Sequence, residues 1–413
     1  MSAPLPLAHA LPSSTLDSYK TYPDLAVETN GGKILFATDD FFAVAENMIA
    51  ASNPVWDEAK YTEHGWETRR KRTLGHDWCI IKLGLPGQII AVDADTAFFT
   101  GNNVPAISIQ AACLTDAQVA LVPRRSEMGS KATEKETEAA LALASHNWTC
   151  ILPMTPLGAG YPETRHNVIQ IPNLNDASTT PEGSKVTQQR WTHLRVNVYP
   201  DGGLARLRVY GVVIPDWKTL LQEHALGSSS LIDLGSLSNG GKALKWSNAH
   251  YGSPMQLLAV RRSLGMFDGW ETSRNPQRPR EYVMGSDGML EMPGSEWAIV
   301  ALGTRGAVLR VIVDTNHYKG NYPESCVVQG VDLSNAADDP LQMLSNDQQS
   351  LDWFDILPRT SLGPHHEHDV DVSRFVMQAN GLPRACTHVR LVMYPDGGVS
   401  RLRLFGSIVP QSS

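Results

Sequence analysis

Several familiar catalytic signatures are missing from this chain. It has no G-x-S-x-G elbow, no Walker phosphate loop, no G-x-G-x-x-G and no H-E-x-x-H. Those absences set aside a serine hydrolase with a nucleophile elbow, a nucleotide enzyme of the common folds and a zincin. No apolar run approaches the length that spans a bilayer, so no membrane partner is expected. Cationic excess is missing too: the formal net charge is −8, which argues against a general affinity for nucleic acid or anionic lipid. Cysteine is scarce. Cys79, Cys113, Cys150, Cys326 and Cys386 are odd in number and scattered, with neither zinc-ribbon nor redox spacing. Reduced thiols and a cytoplasmic setting are the expectation. Asn147-Trp148-Thr149 matches a glycosylation sequon, but nothing at the N-terminus resembles a secretion signal, so it reads as chance.

Glycine (33) and proline (26) are plentiful in the 413 residues, which suits many short strands and turns. That length exceeds what one core usually holds, so two domains are expected. The chain repeats itself. "THLRVNVYPDGGLARLRVYG" (192–211) and "THVRLVMYPDGGVSRLRLFG" (387–406) agree at 12 of 20 positions without a gap. "GGKILFATDDFFAVAENMI" (31–49) aligns with "GGKALKWSNAHYGSPMQLL" (240–258), and "GHDWCIIKLG" (75–84) with "GSEWAIVALG" (294–303). "VDADTAFFTGN" (92–102) aligns with "VIVDTNHYKGN" (311–321), and "WTCILPMTPLG" (148–158) with "WFDILPRTSLG" (353–363). Gly-Trp-Glu-Thr itself occurs twice, at Gly65–Thr68 and Gly269–Thr272. A duplication explains all of this. The expected organisation is a flexible lead-in over 1–23, a first repeat over 24–211, a Ser/Gly-rich linker over 212–239 and a second repeat over 240–413.

Within each repeat, period-two alternation flanks Tyr-Pro-Asp-Gly-Gly, which predicts a β-hairpin at the repeat's end. Many short strands with turn signals predict an all-β fold of two tandem jelly-roll sandwiches, with a few short helices. One helix is predicted over 133–145, where Thr133 and Glu136 form a capping box; the second repeat has no counterpart.

The candidate chemistry is charged and asymmetric between repeats. "GWETRRKR" places Trp66, Glu67, Arg69 and Arg70 together, and "GWETSRNP" places Trp270, Glu271 and Arg274. Planar guanidinium suits a carboxylate ligand, whereas the alternative for these strings is packing and surface ion pairs. "DTNHYKGN" supplies Asp314, Asn316, His317 and Lys319, where the first repeat has Phe98 and Thr100 for His317 and Lys319. His317 reads as a general acid/base or as a hydrogen-bonded histidine. Asp39 and Asp40 read as carboxylates that activate water or bind a cation, or as turn caps; the second repeat has Asn248 and Ala249 there. "HHEHD" (His365–Asp369) reads as a metal cluster or, because adjacent residues seldom converge on one ion, as a polar loop. His166 and His368 are expected to correspond. His193 and His388 are expected to pair structurally with Arg195 and Arg390.

Taken together, "GGKILFATDDFFAVAENMI", "GWETRRKRTLGHDWCIIKLG", "RWTHLRVNVYPDGGLARLRVYG", "DGWETSR" and "DTNHYKGN" resemble the allantoicase family, from about residue 24 to 409. The resemblance implies galactose-binding-like jelly rolls, a homo-oligomer, and hydrolysis of the small molecule allantoate to ureidoglycolate and urea in purine (allantoin) degradation. It carries over no catalytic set and leaves a divalent metal open. A site for allantoate needs a cation for its carboxylate, polar groups for its ureido arms, and an acid for departing urea. The expected assignments are Arg69, Arg70 or Arg274 on the carboxylate, Glu67 or Glu271 on a ureido NH₂, His317 with Asp314 moving the proton, Asp39 and Asp40 as second-choice bases, and Trp66, Trp270, Asn316 and Lys319 as further substrate contacts. The alternative is a non-catalytic galactose-binding-like module that binds a small polar ligand or carbohydrate.

Overall fold

The structure, a computed structural model, describes residues 10–57, 62–63, 65–172, 190–225, 231–286, 288–335, 342–344 and 351–409. Its contacts separate the chain into a first unit ending at Ile214 and a second beginning at Pro215.

The first unit is organised by one long strand. Its strands are β1 (Lys33–Ala37), β2 (Asp77–Asp95), β3 (Ala106–Ala112), β4 (Thr149–Pro156), β5 (His166–Gln170), β6 (Trp191–Tyr199) and β7 (Arg206–Val213). The N-terminal part of β2 lies between β1 and β6, with Lys82 opposite both Lys33 and His193. β3 and β4 continue that layer beyond β6. The C-terminal part of β2 lies instead between β5 and β7, with Asp95 opposite both His166 and Arg206. The break falls between Lys82 and Gly87, at Leu83-Gly84-Leu85-Pro86. A Cβ on Gly84 would lie 2.5 Å from the Asn30 carbonyl oxygen, so only glycine lets the two backbones approach there. β2 therefore passes from one layer of a sandwich to the other.

The second unit repeats the plan. Its strands are β8 (Lys242–Trp246), β9 (Glu296–Asp314), β10 (Ser325–Val331), β11 (Phe354–Ser361), β12 (Glu367–Asp371), β13 (Cys386–Tyr394) and β14 (Arg401–Ile408). β9 pairs with β8 and β13 through its first part, then with β12 and β14. The corner glycine recurs: a Cβ on Gly303 would lie 1.6 Å from the Asn239 carbonyl oxygen. Both units are antiparallel jelly-roll sandwiches, as the sequence predicts. The predicted helix is present as α1 (Glu134–Leu141), with its Thr133/Glu136 capping box formed.

Three expectations change. The Tyr-Pro-Asp-Gly-Gly segments do not close hairpins, because β6 and β7 pair with β2 in different layers and not with each other. After cis Tyr199–Pro200 and cis Tyr394–Pro395, the chain crosses between layers. Its Gly203–Leu204 pairs with Trp66–Glu67, and Gly398–Val399 pairs with Trp270–Glu271. Within the segment read as linker, Ile232–Asp233 adds an edge strand to β14, and Leu237 is buried. Part of the presumed lead-in is packed: Leu11 bridges to Val168, and Leu16 joins Val168 and Tyr210 in a cluster. Residues 1–9 and 226–230 of those two segments lie outside the described residues.

Candidate functional site

The recurrence of Gly-Trp-Glu-Thr has a local cause. Trp66 and Trp270 are both 0% exposed. Each indole Nε1–H donates to a backbone carbonyl, Asp39 and Asn248 respectively, at 2.9 Å. Thr68 N donates to the Gly202 carbonyl at 3.2 Å while its hydroxyl accepts from Gly202 N at 3.0 Å. Thr272 repeats the exchange with Gly397 at 3.0 and 3.1 Å. Gly65 packs against the crossover at Leu204 and Ala205, so three of the four residues of the first string hold it in place. The fourth carries polar chemistry in both units: Glu67 accepts from Asn102 at 2.8 Å, and Glu271 from Asn321 at 2.7 Å. Burial raises the Glu67 pKa, and the Asn102 bond opposes that shift.

Most charges near the first string are already committed. Arg69 donates through Nε to Asp39 at 3.0 Å and lies 4.9 Å from the Phe41 ring centroid. Asp40 holds Arg125, which also binds Glu46, and accepts from Ser130 N at 3.0 Å. Lys71 grips Asp77 at 2.6 Å. In place of surface pairs among Glu67, Arg69 and Arg70, the ion pairs run to buried aspartates. Arg70 and Arg274 stand exposed. In the second unit Asn248 accepts from Ser273 N at 2.8 Å, and Arg278 clamps Asp396 with two bonds of 2.8 Å. Arg125 and Arg278 carried no sequence signal; Arg125 lies 85 residues from the aspartate it holds.

The Asp314–Asn321 loop brings several predicted residues together. Asp314 is buried, accepts from Asn316 N at 2.9 Å, and binds Arg262 at 3.1 Å. Arg262 also meets Glu367 at 3.3 Å. Asn316 Nδ2 donates to the Ser263 hydroxyl at 3.1 Å. His317 does not bond to Asp314. Its Nε2 donates to the Ser263 carbonyl at 3.0 Å, and its backbone N donates to His365 Nδ1 at 2.8 Å. Lys319 is exposed. His317 has φ = 70° and Phe98, its counterpart, φ = 69°. Both units therefore hold a non-glycine residue in the left-handed region at this position, a cost that the surrounding loop must offset.

The first unit opens a cleft of about 640 Å³ beside that position, bordered by Trp56, Phe98, Thr100, Tyr161, Arg165 and His166. Arg69, Arg70 and Arg274 do not border it. Arg165 is held by Asp95 through Nε, at 2.9 Å, and through Nη2. His166 Nδ1 lies 2.8 Å from Asp93 Oδ2, and this bond raises the imidazole pKa against a burial effect of opposite sign.

The histidine expectations need correction. Asp95 faces His166 while Asp314 faces Glu367, so His166 corresponds to Glu367 and not to His368. His368 corresponds to Asn167: each accepts from a glycine N–H, at Gly363 (2.6 Å) and Gly158 (2.7 Å). His368 Nδ1 donates to the Val313 carbonyl at 3.0 Å. That imidazole is neutral, its pKa lowered chiefly by burial. Glu367–Asp371 is a paired strand, so its side chains alternate between faces. Among the described residues, no group of three or more His, Cys, Asp or Glu is placed to hold a metal ion. His193 and His388 bond to Thr192 and Thr387, at 2.7 and 2.9 Å, and not to the arginines two residues on. Burial lowers the His193 pKa to about 4. Arg195 lies over the Trp78 ring instead, at 3.9 Å from its centroid.

The model for the allantoicase repeat matches residues 23–214 and again 232–409. A probable allantoicase from Pseudomonas paraeruginosa is 38% identical over 94% of this chain and 96% of its own length. One from Photobacterium profundum is 36% identical over 94% of this chain and 97% of its own. The crystal structure of allantoicase from Saccharomyces cerevisiae superposes with a TM-score of 0.64 at 28% identity, covering 97% of this chain and all of that one.

Proposed function

The chain belongs to the allantoicase family, and from that membership we infer that it is a hydrolase of purine degradation that cuts a carbon–nitrogen bond of allantoate. Water enters, and ureidoglycolate and urea leave. The observation that carries this reading is the match of both repeats to the family model, with identity to a probable allantoicase running nearly end to end. Solubility in the cytoplasm and assembly into a homo-oligomer belong to the same reading.

We place a site on the Asp314–Asn321 loop of the second unit. His317 offers an imidazole whose Nε2 is fixed by a carbonyl, which leaves Nδ1 as the proton acceptor. The Glu271–Asn321 pair presents an acceptor and a donor to a planar ureido group. Lys319 and Arg274 are the exposed cations nearby in sequence for the carboxylate, and Asp314 with Asn316 shapes the loop. Glu67 repeats the role of Glu271 in the first unit. Trp66 and Trp270 act by packing, and Asp39 and Asp40 by anchoring Arg69 and Arg125. Arg70 remains an exposed alternative for the carboxylate.

Urea release from allantoate by the full-length protein, with and without a chelator, tests the reading and its metal requirement together. Failure to release urea in either condition would leave a binding module. His317→Ala should lower turnover severalfold while the protein melts like wild type; unchanged turnover would remove His317 from the mechanism.

A further inference from the structure

The first unit lacks the histidine that the second carries on this loop, because Phe98 stands at the position of His317. It has another in its place. His166 borders the cleft, and the second unit has Glu367 at that position. The residue that orients it is equally one-sided: Asp93 lies opposite Val168, whereas the equivalent place, opposite Asp369, is held by Ile312. Neither half of this dyad is inherited by both repeats.

The geometry points to a second catalytic centre, in the first unit, where His166 oriented by Asp93 moves the proton in the hydrolysis of a small ureido carboxylate; this rests on the activity proposed above. The dyad has the form that general acid–base catalysis uses. A buried carboxylate takes Nδ1 at 2.8 Å and fixes the tautomer, and no described residue occupies Nε2. Arg165 is held the same way. Asp95 binds its Nε and Nη2, so the guanidinium is fixed in orientation, and Nη1 has no partner among the described residues. Arg165 is therefore placed to receive a ligand carboxylate beside His166. Trp56, Phe98 and Tyr161 supply partly exposed aromatic faces. A conjugated ureido group is flat, with donors and an acceptor at its edge, and it stacks on such faces while its edge meets the polar wall. The cleft, at about 640 Å³, admits a ligand of this size.

The step balances with water alone. The bond between the substrate's sp³ carbon and one ureido nitrogen breaks, and its electron pair stays on nitrogen. That nitrogen takes the proton from His166 Nε2 and leaves as urea. Water oxygen bonds to the carbon, and the water's proton returns to His166.

The test measures urea release from allantoate by full-length His317→Ala protein, with and without His166→Gln added. His317→Ala should keep a residual rate, and His166→Gln should cut that rate by about tenfold or more, with KM changed far less. Asp93→Asn in the same background gives a reading that loss of folding cannot imitate. The acid form of His166 does the work, so rate falls as pH rises through its pKa; without Asp93 that pKa drops, and the falling limb moves to lower pH. The proposal is overturned if His317→Ala abolishes turnover, if His166→Gln leaves the residual rate within about twofold, or if the limb stays put in Asp93→Asn. Should wild-type protein release no urea, the activity itself fails, which is a separate result.

Discussion

The two units agree where the backbone needs agreement and differ in the side chains set around one strand edge and one loop. Both bend a long strand at a glycine, both bury the tryptophan of Gly-Trp-Glu-Thr, and both pair that string with the crossover after a cis-proline. Both also hold a left-handed residue at one loop position. Upon that shared frame the first unit places Phe98, His166 and Asp93, and the second His317, Glu367 and Ile312. Recurrence within a chain therefore marks the scaffold here, and the proton-transfer chemistry proposed for each unit draws on residues that do not recur.

The sharpest way to break that comparison is to remove what the units share. Trp66→Ala and Trp270→Ala each delete a side chain with 0% exposure and a 2.9 Å indole bond. Each should cost about 3–5 kcal/mol, from lost burial and the cavity left behind. Denaturant unfolding of the two variants should give similar losses. A large loss at one position and a negligible one at the other would mean that the equivalence is only one of backbone.

The frame was readable in sequence because it rests on residues whose identity backbone geometry dictates. Gly84 and Gly303 tolerate no Cβ, and Thr68 and Thr272 each exchange two hydrogen bonds with a glycine. Such positions keep their letters, so aligning the chain with itself finds them. The hairpin expectation failed for a related reason. Period-two alternation reports that a strand has an inside face but not which neighbour it pairs with, and β6 and β7 lie in separate layers. The polar network was less legible. Arg165 and Asp95 are 70 residues apart, His166 and Asp93 are 73 apart, and no spacing rule links them. The motif that looked most like a metal site, His365–Asp369, lies largely along a strand that sends neighbouring side chains to opposite faces.

A middle-sized effect should separate the units. Arg125 is nearly buried between Asp40 and Glu46, and the second unit has Ala249 where Asp40 stands. Arg125→Ala leaves Asp40, which is 1% exposed, without its cation. Breaking one partner of a buried pair costs about 3 kcal/mol, more than the pair itself contributes. Replacing Arg125 and Asp40 together with Met and Ala, the second unit's residue at that place, should recover much of the loss. If Arg125→Ala alone unfolds at the wild-type denaturant midpoint, water reaches Asp40 and the pair is not buried in solution.

The smallest effect belongs to a pair that looks strong on paper. Arg310 donates to Asp369 through Nε at 2.7 Å and through Nη2 as well, which holds the Asp369 pKa below its usual range. Both side chains are more than 40% exposed, at 47% and 42%. Solvent screening and the entropy of fixing exposed side chains cancel most of such an interaction. The first unit manages without it: Val168 occupies the position of Asp369 and is buried against Leu16 and Tyr210. Asp369→Asn should therefore leave the melting temperature unchanged within error at moderate salt, whereas Val168→Asn should lower it by several degrees. A marked loss in Asp369→Asn would show that this edge of the second unit is covered in solution, since only a dry environment gives an ion pair on this strand such weight.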